Sequence, residues 1–409
     1  MKIEESDIRP DNEDNVISAT TAKKVVNILL DILSGHGVRM SVCSPGSRNI
    51  PLLLGIKAHQ NIDYRVVTDE RVAGFIALGM SVTTGLPVMM ACTSGTALLN
   101  YAPAVAEAFY QGIPLIVVSA DRPEEWIDQD DSQTIRQYGA LANIVKKSYD
   151  ISDNDIERPD GQWYAERIFN DAMLVATTGK PGPVHINIRF TPPLGVTEPV
   201  TPSTSRIIKS INPLCEPNRK IIRKLAEQAL NSRILLVAGF MTPDFRMNRA
   251  VNKFRQHDNV VVMAETISNL HLPAEDYVID TLLRDCKPRT PDLIISVGGA
   301  LVSRMLKEYL RDIAVHNNLT HWSVGYNHTT VDCFKSLTSK IECDPATFIA
   351  QLSAEMAHLI HKKDIISPHA CYQSAVNEMR RESISQLTLQ TEHAGWCEAQ
   401  AFRYIMQAI

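Results

Sequence analysis

The sequence predicts an α/β protein built on parallel sheets, and three features of the stretch from Tyr64 to Pro123 predict it. Short apolar runs alternate with longer segments of small and apolar residues, the pattern of β-α-β-α-β. Gly85 and Gly112 close the longer segments, where a left-handed residue is cheapest as glycine. Polar residues collect where strands give way to helices: Asp69 to Arg71, Thr93 to Thr96, and Asp121 with Arg122. In an open parallel sheet that carboxyl edge is where ligands bind, so the functional site is expected there.

The chain begins MKIEESDIRPDNEDN, an acidic polar start that reads as mobile and has no character of a leader sequence. Thr21 to Gly35 carries Val25, Val26, Ile28, Leu29 and Ile32 as the stripe of an amphipathic helix. Val38 to Cys43 is a strand that breaks into Ser44-Pro45-Gly46-Ser47-Arg48, and Asn49 to Ala58 continues as a helix. Tyr64 to Thr68, Pro87 to Thr93 and Pro114 to Ala120 are expected as buried strands, Glu70 to Thr84 and Thr96 to Gln111 as helices. The polar segment from Glu124 to Gly139 is too long for a plain link, which predicts a functional loop or a small helix over the site.

A turn from Gly179 and an alternating strand to Ile188 close a first domain placed at residues 1–200, and residues 191–217, rich in Pro, Ser and Thr, mark a linker. A second, Rossmann-like α/β domain is expected over 205–355. Its strands are Arg233 to Gly239, Val260 to Glu265, Asp292 to Gly299 and His321 to Gly325, and Pro345 to Ile360 is its closing helix. Paired glycines at Gly298 and Gly299 resemble a dinucleotide-fold corner, but no G-x-G-x-x-G occurs and a nucleotide site is not expected. Residues 356–390 are polar and helix-prone and are expected as a linker without packing of its own. Residues 391–409, with Trp396 opening a helix, read as the start of a further domain.

A chain of 409 residues exceeds one ordinary core. With 44% hydrophobic residues, 21% charged and a net charge of −5 of mixed sign, neither nucleic acid nor a membrane is expected as partner. The eight cysteines stand singly with no C-x-x-C, which favours reduced thiols in a cytoplasmic protein over disulfides or zinc.

Glu70 is the carboxylate of most interest. Acids at helix starts often do no more than complement the dipole. Here the segment that follows, VAGFIALGMSVTTG, is free of charge, which places the carboxylate at the edge of a dry layer where a proton shared with a ring nitrogen would hold strongly. Thr93-Ser94-Gly95-Thr96 offers exposed amides to an anion or a flat ring edge, or simply an N-cap. Arg48 and Arg122 stand at strand ends, where a planar fork reads carboxylates; Arg136 qualifies less well, and Gln133 says little alone. There is no P-loop, H-E-x-x-H, G-x-S-x-G or calcium loop. No Gly-Asp-Gly occurs, so no carboxylate is marked to hold Mg²⁺ against a diphosphate and no metal ligand is assigned.

Ser44-Pro45-Gly46-Ser47-Arg48, Asp69-Glu70-Arg71, Thr93-Ser94-Gly95-Thr96-Ala97, Ala120-Asp121-Arg122-Pro123 and Gln133-Thr134-Ile135-Arg136-Gln137 stand in one register. Together they resemble the 2-succinyl-5-enolpyruvyl-6-hydroxy-3-cyclohexene-1-carboxylate synthases of menaquinone biosynthesis. The resemblance implies a thiamine-diphosphate-binding fold, with residues 1–200 as the pyrimidine domain. It makes Glu70 the partner of N1′ of the cofactor's aminopyrimidine, sets Ser94, Gly95 and Thr96 against the cofactor, and gives Ser47, Arg48, Arg122, Gln133 and Arg304 to substrate. The implied reaction decarboxylates 2-oxoglutarate and adds the resulting succinyl-semialdehyde carbanion equivalent to isochorismate. The implied cofactors are thiamine diphosphate and Mg²⁺ or Mn²⁺, with their diphosphate and metal ligands in a C-terminal domain beyond these residues, and the implied assembly is a homodimer or homotetramer with sites between subunits. Val302-Ser303-Arg304 stands where the family has Ser-Lys, and Met305 where some members have a second basic residue. The chain alone is therefore expected to fold but not to turn over. The competing readings are an acetolactate synthase or 2-oxo acid decarboxylase, and a non-catalytic α/β binding protein.

Overall fold

A computed structural model describes residues 19–201, 205–211, 217–272, 276–285, 288–316, 319–326, 330–363, 367–394, 396–398, 400–401 and 404–405. The expected mobile start, parts of the 191–217 linker and most of the helix expected after Trp396 lie outside the described residues. The chain divides into two units between residues 212 and 213.

The first unit runs β1 (Ala19–Thr21), α1 (Lys24–Gly35), β2 (Met40–Cys43), α2 (Ile50–Ala58), β3 (Asp63–Val66), α3 (Glu70–Thr84), β4 (Val88–Cys92), α4 (Ala97–Asn100), α5 (Ala102–Gln111), β5 (Leu115–Asp121), β6 (Ser148–Ser152), α6 (Gly161–Thr177), β7 (Val184–Arg189) and β8 (Thr197–Pro199). Six of these strands form one sheet in the order β3-β2-β4-β5-β7-β6, parallel throughout. Because β4 returns to the opposite side of β2 from β3, the winding reverses between β2 and β4, where an α/β sheet opens a crevice at its carboxyl edge. One face packs Leu29, Leu52, Ile116, Phe169 and Ile186 under α1, α2 and α6, and the other packs Ala73, Met90, Leu98, Val105 and Val117 under α3, α4 and α5. β1 and β8 pair antiparallel, tying the chain's entry to the unit's last strand.

Two expectations need correction here. The strand expected as buried over Tyr64 to Thr68 is Asp63–Val66, exposed at every position, because β3 is the sheet's edge and has β2 as its one neighbour. The helix expected from Thr96 to Gln111 is two, broken at Tyr101. Pro103 has no N–H to bond back to the preceding turn, so the axis restarts there. The helix ends fall as the glycines predict: Gly85 and Gly112 take φ of 70° and 77° and close α3 and α5.

The second unit runs α7 (Arg219–Leu230), β9 (Ile234–Ala238), α8 (Phe245–Phe254), β10 (Val260–Ala264), α9 (Asp276–Asp285), β11 (Leu293–Val297), α10 (Arg304–His316), β12 (Thr320–Val324), β13 (Ser339–Ile341), α11 (Pro345–Lys363) and α12 (Tyr372–His393). Its sheet has the order β10-β9-β11-β12-β13, again parallel. α12 occupies much of the segment expected as a linker without packing. Tyr372 and Val376 are buried in this unit's core, Gln373 Nε2 donates to the carbonyls of Arg255 and Val260 at 2.6 and 2.8 Å, and Arg380 Nη2 donates to Val262 O. Anchors at successive turns of one face fix the helix although its composition is polar.

Candidate active site

Four corners at the carboxyl ends of β2, β3, β4 and β5 form the site. The first is built by a buried asparagine: Asn49 Oδ1 accepts from Gly46 N at 2.9 Å and its Nδ2 donates to Ser44 O at 2.8 Å, folding Ser44–Arg48 into a turn. Thr93 Oγ1 accepts from the Arg48 amide at 3.2 Å, which stitches this corner to the one after β4. Tyr101, wholly buried, donates its hydroxyl to Ala91 O at 3.0 Å and lies 3.2 Å from Ser44 Oγ. Ser47 is exposed at the rim.

At the second corner Asp69 caps α3, its Oδ1 accepting from Val72 N at 3.0 Å. Glu70 is half-buried, and its carboxylate has no hydrogen-bond partner among the described residues. It lies close enough to the buried Cys92 thiol and the Tyr101 phenol that its charge, added to their burial, pushes both well above their ordinary ranges. Cys92 and Tyr101 are themselves wholly buried. On the other side the helix face is open, with Arg71, Val72, Phe75 and Ile76 lining a shallow hollow.

Gly95 at the third corner has φ of 84°. A Cβ there would come within 2.8 Å of Gln133 Cγ and 2.9 Å of its carbonyl oxygen, so the long segment after β5 lies directly on this turn. Two glutamines clasp it: Gln133 Nε2 donates to Ser94 O at 3.0 Å, and Gln137 Oε1 accepts from Gly95 N at 2.6 Å. The segment expected as a functional loop or small helix is a loop after one short 3-10 turn, Glu124–Trp126. Its Gln133, a candidate for substrate, is thus held against the Ser94–Gly95 corner. Ser94 is buried and Thr96 exposed.

The fourth corner brings the two arginines together. Burial and the neighbouring Arg122 hold the Arg48 guanidinium below its ordinary range, partly offset by Asp131, Asp121 and Asp153. Arg48 Nη1 donates to Phe190 O at 3.1 Å; Arg122 pairs with Asp131 at 2.6 Å, and its Nε and Nη2 donate to Ser132 O at 3.1 and 2.6 Å. Arg136 is exposed and pairs with Asp128. Arg304 belongs to the second unit, exposed at the start of α10 and paired with Glu308 at 2.7 Å.

Sequence reasoning missed the polar ladder beneath these corners. Ser119 stands opposite Asn187 and Asp121 opposite Arg189 on β5 and β7, and Asp150 on β6 stands opposite Asn187. Asn187 Nδ2 donates to Asp121 Oδ2 and Asp150 Oδ1, and its Oδ1 accepts from Ser119 Oγ and Gln137 Nε2. Ser119's one proton goes to Asn187, so His185 Nε2, 2.7 Å from Ser119 Oγ, carries the proton it donates. Burial holds Asp121 and Asp150 above the usual carboxylate range and lowers His185 to about 4. The available signal was polar residues at alternate positions of strands otherwise apolar.

In the second unit the corners after β9 and β11 bond to each other, Gly299 N donating to Phe240 O at 2.7 Å. The buried Glu265 carboxylate accepts from Val302 N and Ser303 N at 2.7 and 2.6 Å. The amides at this corner are thus bonded to a protein carboxylate. Among the described residues no group of three or more His, Cys, Asp or Glu could hold a metal, and no helix is long and apolar enough to cross a membrane.

Residues 23–140 match the family model of the thiamine pyrophosphate enzyme N-terminal TPP-binding domain. Among curated proteins, the chain is 36% identical over 95% of its length to a 2-succinyl-5-enolpyruvyl-6-hydroxy-3-cyclohexene-1-carboxylate synthase of Porphyromonas gingivalis, covering 67% of that protein. It is 39% identical over 78% of its length to the synthase of the same name from Cytophaga hutchinsonii, covering 57% of it. The chain thus spans roughly three fifths to two thirds of the relatives it matches. A solved structure described as a thiamin diphosphate-dependent enzyme from Mycobacterium smegmatis superposes with a TM-score of 0.61 over 81% of this chain and 62% of that one; at 17% identity it shows the fold alone.

Proposed function

Because the chain belongs to the 2-succinyl-5-enolpyruvyl-6-hydroxy-3-cyclohexene-1-carboxylate synthase family of thiamine-diphosphate enzymes, we propose that its protein joins 2-oxoglutarate, after loss of CO₂, to isochorismate in menaquinone biosynthesis. The observation that carries the reading is a half-buried carboxylate with no hydrogen-bond partner among the described residues, Glu70, on the same sheet edge as two guanidiniums, Arg48 and Arg122, the first held below its ordinary range by burial and by the second. The residues present fit the aminopyrimidine part of the cofactor: one carboxylate with no hydrogen-bond partner among the described residues, near the buried Cys92, beside a glycine corner clasped by two glutamines. When bound, thiamine diphosphate would supply the carbon nucleophile and electron sink that decarboxylation needs. Mg²⁺ or Mn²⁺ is proposed with it.

Glu70 would hold a proton on the pyrimidine ring nitrogen, where the low-dielectric side toward Cys92 strengthens the bond. Ser94, Gly95 and Thr96 would border that ring. Arg48 and Arg122, with Ser47 at the rim, would orient the carboxylates of isochorismate, each guanidinium fork matching a carboxylate edge. Gln133 fixes the loop that covers the corner, and Arg304 is proposed as a further substrate-binding residue. The protein is proposed to be cytoplasmic and to work as a homo-oligomer.

The test is binding of isochorismate to the folded chain by calorimetry, for wild type, Arg48→Ala and Arg122→Ala. Loss of a charge-assisted carboxylate contact should weaken binding about tenfold or more in each variant. No binding by the wild type, or binding indifferent to both arginines, overturns the assignment. In assays of the holoenzyme, CO₂ release from pyruvate in preference to 2-oxoglutarate would favour an acetolactate-synthase type instead.

A further inference from the structure

We infer that Asp131 is a built-in stand-in for a substrate carboxylate, and that a carboxylate ligand enters the two-arginine site by exchanging with it and releasing the loop from Ile127 to Arg136. The inference rests on the carboxylate-reading role proposed above for Arg48 and Arg122.

Burial and the charge of Arg122 hold the Arg48 guanidinium below its ordinary range, and three carboxylates offset this: Asp131, Asp121 and Asp153. Two of the three are fixed. Asp121 is fully buried and accepts from Asn187 Nδ2 at 2.9 Å and from the Arg122 amide at 2.8 Å. Asp153, also buried, is bound by Lys23 at 2.6 Å and by the amide and hydroxyl of Thr191. Asp131 alone of the three stands on the loop, one-third exposed, and its Oδ2 lies 2.6 Å from Arg122 Nη1, a single contact at one end of the guanidinium.

The remaining contact is poorer than a ligand could make. Arg122 Nε and Nη2 both point at one neutral oxygen, Ser132 O. A ligand carboxylate would replace that carbonyl with a charged acceptor having two oxygens, the geometry for which the guanidinium fork is suited.

The loop is also held in a conformation it would leave readily. Asp128, Asp130 and Gln133 have φ of 61°, 57° and 53°, three non-glycine residues in the left-handed region on either side of Asp131. Such residues persist where surrounding contacts impose them, and here the contacts are Arg122 with Asp131, Arg136 with Asp128, and Gln133 with Ser94. Opening the first would free the central part of the loop while Gln137, buried on Asn187, keeps its end attached.

The experiment uses the whole chain without turnover. Phenylglyoxal labelling of Arg122 is followed by peptide mass mapping in wild type, Asp131→Asn and Asp131→Ser, each with an unchanged circular-dichroism spectrum. Deuterium uptake of residues 127–136 is followed in wild type with and without isochorismate. Arg122 should label about fivefold faster in both variants, the scale of a lost ion pair near the surface. Isochorismate should slow labelling in all three proteins and raise uptake across 127–136 in wild type. Equal labelling rates in wild type and variants overturn the inference. Protection of Arg122 with no rise in loop uptake also overturns it, while leaving the carboxylate-reading role intact. No protection in any of the three proteins overturns that role itself, and the exchange with it.

Discussion

Asp69 and Glu70 are adjacent acids at one helix start, and the structure separates their work. Asp69 caps the helix by accepting from Val72 N, whereas the Glu70 carboxylate has no hydrogen bond among the described residues, and its charge adds to the burial that raises Cys92 and Tyr101. Asp69→Ala should therefore lower stability by about 1 kcal/mol, read as a shift in urea midpoint. Glu70→Gln should leave the midpoint within about 0.5 kcal/mol and reduce holoenzyme turnover about a hundredfold or more. The opposite pattern, a destabilised but active Glu70→Gln, would make Glu70 a helix-start residue and remove it from the chemistry. The sequence singles out Glu70, but not that Asp69 takes the cap, since both acids fit the first turn of a helix equally well.

At the scale of elements, the clasp of Gln137 decides whether the loop and the glycine corner act as one. Gln137→Leu strips the partner from Gly95 N and removes a donor from Asn187 Oδ1 and Ala120 O, all in the interior. Unmade buried hydrogen bonds should cost about 2–3 kcal/mol, and the segment 124–139 should become the first site of proteolytic cleavage. An unchanged midpoint and cleavage pattern would mean that Gln133 holds the loop unaided. The alternation of strands and helices was legible because apolar runs and glycine ends are local signals, as at Gly85 and Gly112. The site's address was legible for the same reason, since Arg48, Glu70, Gly95 and Arg122 all follow strand ends. What was not legible depends on neighbours. Tyr64 and Val66 look like a buried strand until the sheet order makes β3 an edge. α12 looks unanchored until Gln373 and Arg380 meet the carbonyls of β10 and the turn before it. Asn187 reads as one polar residue in a strand, and its bonds to Ser119, Asp121, Gln137 and Asp150 exist only across three strands and a loop.

At the scale of the molecule, each unit has its own cores and its own buried histidines, so acid should act on the two separately. In the first unit burial lowers His185 from 6.5 to about 4, and its Nδ1 has no partner among the described residues to hold a proton. In the second, burial lowers His321, likewise to about 4, and His257. A histidine kept neutral by folding leaves the unfolded chain binding more protons below pH 6.5, so its contribution is complete above that pH and is lost as pH falls toward 4. Asp121 and Asp150, raised by burial, act in the opposite sense. Folding keeps their protons to higher pH than the unfolded chain does, so acidification through the carboxylate range relieves a penalty. The histidine effect therefore stands clear of the carboxylates between about pH 6.5 and 5, where His185 should account for about 2 kcal/mol. Urea unfolding at those two pH values, in wild type, His185→Gln and His321→Gln, should show His185→Gln losing the pH dependence of one transition and His321→Gln losing part of the other's, with His257 keeping the rest. Loss of both in a single variant would mean that the two units unfold as one. Retention of both in His185→Gln would mean that His185 is protonated in the fold despite its burial, with an Nδ1 proton that has no acceptor among the described residues.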